Sequence, residues 1–91
     1  MATVVITLTI MPESPNTDLS KLEVEATKLI SEFGGKVGKV DIKPIAFGLR
    51  SLNLIFIMDE AKGSTESLEK DIAELKGVSS AEVTDVRRAI G

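Results

Sequence analysis

Two segments of the chain carry residue types that could act on another molecule. In Lys43-Pro44-Ile45-Ala46-Phe47-Gly48-Leu49 an aliphatic and an aromatic residue sit in a connector built of turn formers. An exposed Phe at a loop tip suits an anchor that fills a partner's pocket. The competing placement tucks Phe47 under the edge of a sheet, and spacing alone does not choose between the two. In Asp85-Val86-Arg87-Arg88-Ala89-Ile90-Gly91 two adjacent guanidinium groups stand near a chain end. They never lose their charge and can reach carboxylates or phosphates elsewhere, although terminal arginines are more often simply solvated.

Other candidate chemistry fails on inspection. The stretch GGKVGKV looks like a phosphate loop, but around Gly38-Lys39 the places that need Gly and Ser or Thr hold Phe33 and Val40. It reads as a helix stop followed by a strand. The acidic groups Glu23-Glu25, Asp59-Glu60 and Glu69-Asp71-Glu74 are interleaved with Lys21, Lys28, Lys62, Lys70 and Lys76. That interleaving marks solvated surface rather than paired catalytic carboxylates or a hard-cation site. With no Cys and no His, thiolate zinc, iron–sulfur clusters, thiol nucleophiles and the commonest general base are excluded. Eleven Lys+Arg against 14 Asp+Glu give a net charge of −3, which disfavours non-specific attraction to nucleic acid or to an anionic membrane. The partner expected on these grounds is a protein.

The elements that must position the two segments follow from periodicity. Residues 3–11 place Val4, Ile6, Leu8 and Ile10 on one parity and Thr3, Thr7 and Thr9 on the other, a half-buried strand ended by Pro12 and Pro15. Its apolar run is too short for a signal peptide or a spanning helix, so a cytoplasmic protein is expected. Thr17 or Asp18 can cap a helix that carries Leu19, Leu22, Ala26, Leu29, Ile30 and Phe33 on one stripe until Gly34 and Gly35 stop it. Residues 36–43 read as a less regular edge strand, with Val40 and Ile42 assigned to opposite faces. The segment 44–48 connects it to a central strand, 49–58, whose Leu52, Leu54, Phe56 and Met58 share one parity. The run DEAKGST is a loop ending in a Ser64 or Thr65 cap. A second helix then buries Leu68, Ile72 and Leu75 and stops at Gly77, and Val78 to about Val86 form the last strand.

The order strand, helix, strand, strand, helix, strand predicts one α+β domain over 1–91: a ferredoxin-like βαββαβ sandwich, a four-stranded antiparallel sheet with two helices on one face. A common RNA-binding module has this order but stacks bases on aromatic residues of the helix-free face. Here that face offers Thr3, Thr7, Thr9, Asn53 and Ile55 and no platform. An acylphosphatase-type enzyme needs an arginine-bearing anion loop after the first strand, and MPESPNT has none. A regulatory module that dimerises through its sheet and binds a small molecule is the alternative expectation.

At the two segments singled out first, the sequence becomes specific. VVITLTIMPESPNTDL, KPIAFGLRSLNL, GSTESLEKDI and VSSAEVTDVRRAIG together closely resemble the archaeal elongation factor 1-beta family across essentially the whole chain. The resemblance implies the ferredoxin-like fold and a guanine-nucleotide exchange factor for the GTPase elongation factor 1-alpha, regenerating the form that binds aminoacyl-tRNA. It implies no enzyme chemistry and no cofactor beyond the magnesium and GDP or GTP held by the GTPase, and a factor that is monomeric when free. An ungapped match of the tails sets Arg88 at a lysine that the eukaryotic relatives push into the magnesium region, with Arg87 as the alternate. Pro44, Phe47 and Gly48 match the relatives' Pro-x-x-aromatic-Gly turn that touches the GTPase. Ile45 and Ile90 are counted with the same partner surface.

Overall fold

The alternation of residues 3–12 becomes strand β1 (Thr3–Pro12) in the computed structural model, which describes residues 2–89. It is followed by α1 (Leu19–Phe33), β2 (Lys36–Pro44), β3 (Arg50–Asp59), a 3₁₀ turn at Glu60–Lys62, α2 (Glu66–Ala73) and β4 (Val78–Ala89). The strands form one antiparallel sheet in the order β2-β3-β1-β4. The βαββαβ reading therefore holds. The 3₁₀ turn inside DEAKGST is new.

One face of the central strands is apolar, and the helices cover it. Ile6, Leu8 and Ile10 of β1 and Leu52, Leu54, Phe56 and Met58 of β3 are buried against Leu19, Leu22, Ala26 and Ile30 of α1 and Leu68 and Ile72 of α2. Asp18, not Thr17, caps α1: its carboxylate accepts from the Ser20 and Lys21 N–H groups at 3.0 and 3.2 Å. Gly34 ends α1 at φ 108°, a conformation most side chains resist. At the start of α2 it is Ser64 whose hydroxyl accepts from Glu66 N–H, at 3.1 Å, while Thr65 makes no side-chain cap. Leu75 lies past the end of that helix and is only partly buried against the core.

Three register shifts set which residues face the helices; one, between Met11↔Ser80 and Pro12↔Val78, leaves Ser79 extra and turns Val78 into the core. In β2 the pairing steps from Val37↔Phe56 to Lys39↔Ile55, so Gly38 is the extra residue. That shift brings Val37 and Val40 to the same side; Val40↔Leu54 and Ile42↔Leu52 both face the helices because residues two apart on a strand share a face, correcting the assignment of these two to opposite faces. In β4 the pairing steps from Val83↔Leu8 to Asp85↔Thr7, leaving Thr84 extra. Val86, opposite Ile6, and Arg88, opposite Val4, thus share the helix side, whereas Arg87, opposite Val5, projects from the open face.

Candidate functional site

The connector between β2 and β3 is a tight hairpin end. Ile45 N–H donates to the Leu49 carbonyl at 2.7 Å, and Leu49 N–H donates to that of Ala46 at 3.2 Å. Its two central residues, Phe47 and Gly48, have φ of 61° and 76°. A turn with both centres at positive φ follows the right-handed twist of a hairpin, and Asn-Gly is its preferred pair. Gly48 fits that rule and Phe47 breaks it. For an L-residue with a bulky side chain, this backbone costs about 1–2 kcal/mol. The ring recovers none of that by packing, since Phe47 is 93% exposed. Ile45 is 43% exposed beside it, and Pro44 and Gly48 are also exposed. The placement of Phe47 under the sheet edge is thereby ruled out.

Arg87 and Arg88 occupy the other end of the sheet. They belong to β4, which runs three residues past the expected Val86, so they are fixed by strand pairing rather than carried on a tail. Arg87 Nε donates to Asp85 Oδ2 at 2.9 Å on the open face. Arg88 Nη2 donates to Glu60 Oε1 at 2.5 Å across the sheet end. Both side chains are largely exposed, at 78% and 67%. Ile90 lies outside the described residues. Beside Arg88 the eight-residue α2 leaves the sheet partly uncovered. Val86, 58% exposed, joins Val4, Ile6 and Val83 in an open groove rimmed by Glu60 and Glu66.

The structure therefore does not gather the expected residues at one point. Met58, level with Arg88 through Val4, is eight residues from Arg50, the partner of Pro44. At about 3.3 Å per residue the two groups are roughly 26 Å apart along the strands. A partner that touches both must extend along the long dimension of the domain, 42 Å. The sequence alone marks neither Glu60 nor Val86 as a site residue. The Glu60–Arg88 contact spans 28 positions and leaves no local signal, but Val83 and Val86 at a spacing of three mark the bulge that turns Val86 toward the helices.

Among the described residues no group of three or more acidic side chains is arranged to hold a metal, and no helix is long and apolar enough to cross a membrane. The site offers fixed cations at one end and a presented aromatic at the other. That equipment suits binding an anionic surface at one end and a pocket at the other.

Comparison with known proteins matches residues 5–89 to the EF-1 guanine nucleotide exchange domain. Elongation factor 1-beta of Methanothermobacter thermautotrophicus is 47% identical over 88 residues, covering 97% of this chain and 98% of that protein. Elongation factor 1-beta of Methanobrevibacter smithii is 48% identical with the same coverage. Among solved structures, the C-terminal domain of the MgtC protein from Mycobacterium tuberculosis superposes with a TM-score of 0.64 at 12% identity, over 97% of this chain and 88% of that one. A likeness at that identity speaks to the fold alone.

Proposed function

This chain belongs to the elongation factor 1-beta family and is a guanine-nucleotide exchange factor, and from that premise we propose that it acts on the GTPase elongation factor 1-alpha by gripping it at two places. Phe47, with Ile45, Pro44 and Gly48, is the anchor at one end. Arg88 is the exchange residue at the other, with Arg87 as its neighbour.

A GTPase holds GDP through a magnesium ion that bridges phosphate oxygens and protein side chains, together with a phosphate-cradling loop. A guanidinium fixed beside that ion competes for the same anionic ligands without coordinating the phosphates as the metal does, and the nucleotide loosens. No covalent step and no cofactor of the factor's own is needed. The catalysis is differential binding: the factor binds the nucleotide-free GTPase more tightly than its GDP complex, and by linkage GDP or GTP drives it off. The factor works in the cytoplasm as a monomer.

The observation that carries this reading beyond the family is Phe47, a solvent-exposed aromatic on a backbone its own type disfavours. Such strain persists where function selects it. The test is the release rate of a fluorescent GDP analogue from elongation factor 1-alpha, with and without this protein, at low and high magnesium. Acceleration that added magnesium weakens is expected. No acceleration at any magnesium level, with both proteins folded, would refute the proposal.

A further inference from the structure

We propose that Glu60 is a positioning residue for Arg88: it holds one edge of the guanidinium so that the other edge is presented to the GTPase. The inference rests on the reading that Arg88 is the exchange residue, and it goes beyond that reading by assigning a role to a second side chain.

Glu60 stands on a braced support. Its N–H donates to the Ala2 carbonyl at 2.9 Å, tying the 3₁₀ turn to the start of β1. Within the turn, Asp59 Oδ1 accepts from Ala61 N–H at 2.9 Å and the Glu60 carbonyl accepts from Gly63 N–H at 3.2 Å. Lys62 lies over the end of α1, so close to Gly34 that a Cβ there would come within 2.6 Å of Lys62 Cε. Both Glu60 and the backbone of Arg88 are thus fixed to the same end of β1, Arg88 through its pairing with Val4. What remains free is the long Arg88 side chain, and the contact with Glu60 reduces that freedom.

The contact uses one nitrogen of the fork. Nη2 is committed to Glu60, while Nε and Nη1 make no hydrogen bond or ion pair among the described residues and the side chain is 67% exposed. A planar guanidinium has five donors in rigid array, so it can keep one carboxylate and bind a second acceptor on another edge. A lysine ammonium is a point charge on a flexible stem and lacks that division of edges. Glu60 therefore gives a physical reason for Arg at this position.

The test is a double-mutant cycle read by fluorescent GDP release from elongation factor 1-alpha, with the maximal rate and the half-saturating factor concentration measured separately. Glu60→Ala is expected to lower the maximal rate about two- to fivefold, the range of an exposed ion pair, with little change in half-saturation. In an Arg88→Ala background it is expected to change nothing further. Nitrogen relaxation of the Arg88 Nε–H group should show a more mobile side chain in Glu60→Ala, with the fold intact. An unchanged or raised maximal rate in Glu60→Ala would overturn the assignment, and so would an equal loss in both backgrounds. Wild-type exchange by Arg88→Ala alone would instead overturn the underlying role of Arg88.

Discussion

Replacing Phe47 by Asn separates stability from binding, because the residue is strained where it sits and touches almost nothing of its own domain. Asn tolerates the left-handed region, and Asn-Gly is the pair this turn prefers. Relieving part of a strain of about 1–2 kcal/mol should stabilise the domain by about 0.5–1 kcal/mol. Removing the ring costs little packing at 93% exposure. For a domain of this size each kcal/mol moves Tm by about 4–8 °C, so Phe47→Asn should melt roughly 2–8 °C higher. Its affinity for elongation factor 1-alpha should fall about thirtyfold or more, the consequence of losing a hot-spot aromatic of about 2 kcal/mol. Scanning calorimetry and titration calorimetry against the nucleotide-free GTPase read the two effects. A lower Tm with unchanged affinity would refute the argument, since a core Phe is worth about 3–5 kcal/mol when truncated.

Two further substitutions test the frame that carries the site. Gly35→Ala would bring a Cβ to 2.8 Å from Phe56 Cδ2 and 2.9 Å from Ile30 Cγ2, both in the core, so it should destabilise the domain by about 1–3 kcal/mol. Urea unfolding should show a lower midpoint at unchanged slope. Asp18→Ala removes the cap shared by two N–H groups of α1 and should cost about 1 kcal/mol, or roughly 4–8 °C in Tm, with GDP release unaffected.

What the sequence disclosed and what it hid divide along physical lines. The central strands were legible because each buries one face, so that a slip of one residue would expose the whole set Leu52, Leu54, Phe56 and Met58. The ends of α1 were legible because Asp18 and Gly34 do specific jobs at a terminus, whereas α2 ends at Ala73, short of the stop expected at Gly77. The edge strand β2 was not, because its phase changes at Gly38 and its exposed residues tolerate either face. Of the site, Phe47 could be found but not oriented, since a turn aromatic that folds inward and one that points outward have the same spacing. The support of Arg88 was invisible, since Glu60 reaches it from 28 positions away.

The Thr84 bulge makes the two arginines inequivalent. Strict alternation from Ala81 and Val83 would carry the helix-facing parity on to Asp85 and Arg87. The extra residue shifts it to Val86 and Arg88, so Arg88 meets Glu60 while Arg87 turns to the open face and pairs with Asp85. Two cations on opposite sides of one sheet end cannot enter the same site in the same pose. Arg88→Ala is therefore expected to cripple GDP release with a Tm shift of only a few degrees, because an exposed ion pair contributes at most about 1 kcal/mol. Arg87→Ala should leave the maximal release rate near wild type, with any loss confined to the rate of association and its dependence on salt. Stopped-flow release at two ionic strengths distinguishes the pair. A defective Arg87→Ala beside a normal Arg88→Ala would mean that the GTPase approaches from the open face, and the helix side would lose its claim to the exchange site.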